Sequence, residues 1–134
     1  MNEMVVIATP ITFLYAGILG LLLVALAIQV LYARVNQAKV PDWKPETTFR
    51  VQANFCEYVP MALILLYLVE VSGVPGWAVH ALGATLVISR LAHAWGLSTN
   101  PGATYARLFG AQMTFLLLSI MSITGLYYYL VPRF

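Results

Sequence analysis

The chain reads as an all-α integral membrane protein, a four-helix bundle, and three observations predict this. Its 134 residues are 61% hydrophobic and only 9% charged, against about 45–50% and about 25% in soluble domains. Four stretches reach the roughly 20 residues a helix needs to cross a hydrocarbon core about 30 Å thick. Breaker clusters and one polar loop separate them. So few charges cannot cover a water-facing surface, and the excess apolar area must face lipid.

The first stretch covers about residues 10–35 and has no charge before Arg34. Pro10 suits a helix start, where its missing N–H needs no partner. The triplet Ala25-Leu26-Ala27 resembles a signal-peptidase site. However, Glu3 and the lack of any Lys or Arg before the apolar run, together with the length of that run, predict a retained anchor. A polar loop over about 36–47 follows, carrying Lys39, Pro41, Asp42, Lys44, Pro45 and Glu46.

The second stretch, about 48–72, opens with Arg50, Gln52, Asn54 and Glu57 before turning aliphatic. Pro60 lies inside it and predicts a kink, because it removes one backbone hydrogen bond. Gly73-Val74-Pro75-Gly76 marks a tight turn. The third stretch, about 77–97, carries Arg90 and His93 in its last two turns. A turn containing Asn100-Pro101-Gly102 leads to the fourth, about 103–131, with Arg107 near its start. The whole chain forms one domain.

Charge distribution predicts an orientation. Arg34, Lys39, Lys44, Arg50, Arg90 and Arg107 flank two loops on one side, and Arg133 stands alone on the other. The positive-inside rule makes the first side cytoplasmic and places both termini on the non-cytoplasmic side. Trp43, Trp77, Trp95, Tyr105 and Tyr127-Tyr128-Tyr129 fall near helix ends, as an interfacial aromatic belt requires.

The same inventory excludes several functions. A net charge of +2 with no run of Lys or Arg offers nothing to nucleic acid. The single cysteine, Cys56, permits no internal disulfide and is expected to be a small core residue. His80 and His93 lie at opposite ends of one helix, so no metal site is expected. Glu70 is expected to be solvated or snorkelling at the end of its span.

Chemistry concentrates instead at one end of the bundle. Arg50, Asn54 and Glu57 stand at i, i+4 and i+7, within about 60° of arc on one helix face. Tyr58 lies at the edge of that face, and Gln52 points nearly opposite. Arg90 and His93 share a face of the third helix, and Arg107 starts the fourth at the same depth. Ionisable groups inside a membrane span are costly and mark functional sites. They could simply satisfy one another, with Arg50 and Glu57 as a buried ion pair. But one Glu cannot balance three Arg, which argues for an anionic ligand.

The segment Arg50-Val51-Gln52-Ala53-Asn54-Phe55-Cys56-Glu57-Tyr58-Val59-Pro60 resembles the second-helix signature of the membrane-associated proteins in eicosanoid and glutathione metabolism. That family includes microsomal glutathione transferases, and its bacterial branch is the most similar. Glu70-Val71-Ser72-Gly73, His80-Ala81-Leu82-Gly83 and Arg90-Leu91-Ala92-His93-Ala94-Trp95-Gly96-Leu97 continue the likeness. The resemblance implies a homotrimer in the bacterial inner membrane, with glutathione bound between protomers as co-substrate and no metal. By position, Arg50, Asn54, Glu57 and Tyr58 would hold glutathione. Gln52 would reach the neighbouring protomer's site, and Arg90, His93 and Arg34 would complete the binding set. Arg107 would stabilise the thiolate. The second substrate would be a hydrophobic electrophile or lipid hydroperoxide arriving from the membrane. Leu97 stands where several eicosanoid-forming members carry tyrosine, which argues against a leukotriene-type activity.

Two other readings fit the sequence. One is a non-catalytic lipid- or glutathione-binding scaffold of the same family. The other is a small multidrug-type transporter built around an intramembrane Glu57, which an arginine-rich cluster suits poorly.

Overall fold

The computed structural model describes residues 8–39, 46–99 and 105–131, without the side chains of 97–99. Four helices account for nearly all of them: α1 Ile11–Lys39, α2 Glu46–Val71, α3 Gly76–Thr99 and α4 Tyr105–Leu130. They contain 29, 26, 24 and 26 residues. At 1.5 Å per residue each is therefore longer than a hydrocarbon core about 30 Å thick. α2 and α3 pack on each other, and both α1 and α4 pack on that pair, with no close backbone approach between α1 and α4 among the described residues.

The core follows helical spacing. Val51, Phe55, Val59, Ala62, Leu66 and Val69 form the inward stripe of α2 and meet Tyr15, Leu19 and Leu26 of α1, Val79 and Leu86 of α3, and Leu117 and Met121 of α4. The outward faces are apolar as well. Leu21, Leu31, Ile64, Ile88, Leu116 and Ile123 are all exposed on the isolated chain. Helices apolar on both faces belong in lipid rather than water. Trp77, Trp95, Tyr105, Tyr127 and Tyr129 are also exposed at or near helix ends, whereas Trp43 lies outside the described residues.

Three helices, α1, α2 and α4, are long and apolar enough to cross a membrane. The sequence predicts four spans. α3 is excluded because His80, Ser89, Arg90 and His93 dilute its apolarity, yet the last three are buried against neighbouring helices. Ser89, Arg90 and His93 thus point into the bundle, and Trp77, Ile88, Leu91 and Trp95 point outward.

The first polar loop is shorter than predicted, since α1 continues to Lys39 and α2 begins at Glu46. Straight-chain and amide residues such as Gln37 and Lys39 sustain the helix beyond the apolar stretch. Similarly, α3 reaches Thr99. α2 runs through Pro60 as one element.

The α2–α3 turn forms where Gly73-Val74-Pro75-Gly76 requires it. Gly73 has φ 90°, a left-handed conformation that only glycine adopts without cost. Its N–H donates to the Glu70 carbonyl at 3.1 Å, and the Pro75 carbonyl accepts from Ala78 N–H at 2.9 Å to start α3.

Two side-chain clasps tie this end together. The Glu70 carboxylate accepts hydrogen bonds from the backbone N–H groups of Ile11 and Thr12 and from the Thr12 hydroxyl. The expectation of a solvated Glu70 is therefore wrong. The first N–H groups of a helix have no intrahelical partner, and an anion in their midst satisfies them. The Tyr15 hydroxyl donates to the His80 carbonyl at 3.1 Å and lies 2.8 Å from Nδ1 of the same residue. Gly83 makes room for the Tyr15 ring, which any Cβ there would penetrate.

Candidate functional site

At the other end of the bundle, the start of α2, the end of α3 and the start of α4 enclose a groove of about 220 Å³. Arg50, Ala53, Asn54 and Glu57 contribute one wall from α2, His93 the second and Arg107 the third. The i, i+3, i+4, i+7 spacing brings the four α2 residues onto one face, and Val51 and Phe55 anchor that helix on the core beside it.

The wall is graded in exposure. Arg50 and Glu57 are open, Asn54 and Arg107 are half-buried, and His93 is buried. The expected buried ion pair between Arg50 and Glu57 does not form. Arg50 lies 4.0 Å from Glu46 instead, with both side chains about two-thirds exposed, and contacts of this kind contribute little. Glu57 is thereby left facing the groove without a cation engaging it in an ion pair among the described residues.

Arg90 sits behind the groove rather than in it, and is 2% exposed. Its Nη2 donates to Asn54 Oδ1 at 2.7 Å, its Nη1 faces Thr114 Oγ1 at 3.5 Å, and its guanidinium carbon lies 5.8 Å from the centre of the Phe55 ring. Thr114 donates to the Gly110 carbonyl at 2.8 Å and lies 3.2 Å from Ser89 Oγ, which donates to the Leu86 carbonyl. This polar seam joins α2, α3 and α4 beneath the groove floor.

His93 is fixed by α4. The Arg107 carbonyl oxygen only accepts, so the His93 Nδ1–H donates to it at 3.2 Å, and in the neutral ring Nε2 is the free acceptor. His93 Nε2 and Arg90 Nε are both buried without a hydrogen-bond partner among the described residues.

Besides Arg90, three of the sequence-derived residues lie apart from the groove wall. Tyr58 packs edge-on against Phe115 at 5.2 Å, joining α2 to α4. Arg34 stacks over Phe49 at 5.6 Å, at the α1–α2 end. Gln52 is half-buried off the groove face. Cys56, expected in the core, is exposed beside Pro60 along the α1–α2 surface. As the residue next to Phe55 it is turned about 100° around the helix, off the inward stripe on which Phe55 and Val59 lie. The side chain of Leu97 lies outside the described residues. Among the described residues no three His, Cys, Asp or Glu side chains come together as a metal-binding group.

Sequence reasoning missed Ser89, Gly110 and Thr114. A signal was available: Gly110 and Thr114 are small residues four apart, the pattern that lets membrane helices approach closely. A Cβ at Gly110 would clash with the Ser89 carbonyl oxygen and come within 2.7 Å of His93 Cβ.

Comparison with known proteins bears on the whole of this architecture. The chain is 28% identical over 127 residues to inner membrane protein YecN of Escherichia coli strain K12, a match covering 88% of this chain and 92% of the relative. The protein of that name from Escherichia coli O6:H1 strain CFT073 matches equally. The MAPEG family pattern matches residues 12–127, from the first turn of α1 to the last of α4. Because that match runs through all four helices and includes every residue of the groove, the chain belongs to the MAPEG family, which includes glutathione transferases.

Proposed function

We propose that the chain is a membrane glutathione transferase or glutathione peroxidase acting on hydrophobic electrophiles or lipid hydroperoxides. The observation that carries this reading is the groove wall itself, in which Arg50, Arg107 and the Asn54 amide stand with one carboxylate, Glu57. Glutathione carries two carboxylates, an ammonium group and a thiol. Guanidinium groups recognise carboxylates in a planar fork, and Glu57 suits the ammonium. Two buried polar atoms without hydrogen-bond partners among the described residues, Arg90 Nε behind the wall and His93 Nε2 in it, add a donor and an acceptor.

The chemistry needs a thiolate. A free thiol of pKa about 8.5 is mostly protonated at neutral pH, and an adjacent guanidinium favours its ionised form. Arg107 takes that role. The thiolate then attacks an electrophilic carbon, the leaving group departs with its electron pair, and the thiol proton passes to solvent. With a hydroperoxide the thiolate attacks oxygen and the O–O bond breaks. The alkoxide takes up a proton, and a second glutathione converts the sulfenic acid to disulfide and water.

A groove of about 220 Å³ is below the about 300–1,000 Å³ usual for small-molecule sites. This supports a homotrimer in which a neighbouring protomer closes the site. Gln52 and Arg34, off the groove of their own chain, would serve the neighbour's. In this reading all four helices span the inner membrane of a bacterium and both termini lie on the non-cytoplasmic side. The apolar substrate enters from lipid.

The test is turnover by purified protein in detergent, with glutathione and either a chlorinated nitrobenzene or a lipid hydroperoxide. Conjugate or disulfide formation is expected. Absence of turnover with both, together with no glutathione-dependent rise in melting temperature, overturns the reading. Binding without turnover identifies a scaffold instead.

A further inference from the structure

We infer that Arg90 is a positioning residue that sets the groove's selectivity for a carboxylate by fixing the orientation of the Asn54 amide. The inference rests on the proposed glutathione site and deepens it. An arginine guanidinium can only donate. The Asn54 atom 2.7 Å from Arg90 Nη2 is therefore its carbonyl oxygen, Oδ1. With Oδ1 committed, both N–H donors reside on Nδ2, and Asn54 is a groove-wall residue. An unrestrained asparagine could turn its amide and offer the ligand either end. This one offers donors.

Arg90 is held firmly enough to do this. It is 2% exposed, lies against the Phe55 ring and faces Thr114 on α4. Thr114 is in turn bound to Gly110 and neighbours Ser89. A charge-assisted bond from a buried guanidinium is roughly twice as strong as a neutral one, so turning the amide would leave a buried cation facing an N–H group. Arg90 thus acts on the ligand through Asn54, without standing in the groove wall itself.

The groove consequently presents donors from Arg50, Arg107 and Asn54 against the carboxylate of Glu57. It should distinguish a free carboxylate from the same group masked. Two glutathione analogues probe this, the glycine monoethyl ester and the γ-glutamyl α-carboxamide. The wild-type protein in detergent is expected to bind each of them tenfold or more weakly than glutathione. In R90M the discrimination against one of the two falls below threefold. N54D, whose carboxylate pairs with Arg90 and keeps the fold, weakens glutathione at least tenfold and also loses the discrimination. R90K restores it, because a single donor to Oδ1 suffices. Discrimination against the other analogue survives in R90M, showing that the groove still forms.

Wild-type discrimination retained in both R90M and N54D overturns the inference while leaving glutathione binding in place. So does loss of all binding in R90M that R90K fails to restore, which marks a purely structural arginine. Failure of wild type to bind glutathione overturns the underlying reading and this inference together.

Discussion

Glu70 holds the start of α1 through Thr12, its Oε2 accepting from the Thr12 N–H at 2.8 Å and from the Thr12 hydroxyl at 2.7 Å. The contact joins residues 58 positions apart and sits at the end of the bundle remote from the groove. Removing it exposes unpaired N–H groups at the first turn of α1. Glu70→Ala should lower stability by about 1–3 kcal/mol, and Glu70→Gln by less, since an acceptor remains. Thermal unfolding in detergent measures both, and glutathione affinity of the folded fraction should not change.

Gly110 permits the close approach of α4 to α3, with the Ser89 carbonyl and His93 backbone where a side chain would stand. Gly110→Ala must push the helices apart, and overpacking of this kind costs about 1–3 kcal/mol. Because Arg107 and His93 bond across that same approach, the variant should also weaken glutathione binding. A variant with unaltered stability and affinity would mean that the α3–α4 separation is not set here.

Arg107 is placed to stabilise the thiolate of the proposed co-substrate. Removing one preorganised group that stabilises developing charge typically lowers kcat by about 10²–10³-fold. Arg107→Ala should therefore reduce kcat roughly a hundredfold, with a smaller rise in KM for glutathione. Steady-state kinetics with a chlorinated nitrobenzene give both numbers. Unchanged kcat removes Arg107 from the chemistry.

Arg50 and Glu57 occupy the open rim of the groove on α2. Hydrogen bonds to charged groups contribute about 1.5–3 kcal/mol, which corresponds to roughly ten- to a hundredfold in affinity. Arg50→Ala and Glu57→Gln should each weaken glutathione by about tenfold, with little change in melting temperature, because neither side chain is buried. Equilibrium binding by calorimetry checks the affinities. If Glu57→Gln instead abolishes flux of a lipophilic cation in proteoliposomes, the transporter reading replaces the enzyme.

Helix existence was legible because apolar stretches of membrane length leave few alternatives, and all four predicted stretches are helices. Their bounds shifted outward at Lys39, Glu46 and Thr99, where polar residues can extend a helix beyond its lipid-facing part. The clustering of Arg50, Asn54, Glu57, His93 and Arg107 was also legible, since α2 spacing and depth in the membrane are one-dimensional quantities. Glu70 was misread for a different reason. Its partners are backbone N–H groups of another helix, and no side-chain pattern in the sequence announces them.

By itself the sequence determined that this protein is a lipid-facing helical bundle with its cations gathered at one end. Apolar length, charge scarcity and helical period are properties of each segment alone. Tertiary structure alone decided which of those polar groups meet the groove and which support it. Arg90 and His93 share one face of α3, yet Arg90 is spent on Asn54 and Thr114 while His93 reaches the wall and bonds α4. Facing a neighbouring helix is the same in sequence for both. What stands opposite each residue at its own depth, with α4 close to α3 where Gly110 meets the Ser89 carbonyl oxygen and His93, separates a residue behind the groove from one that lines it.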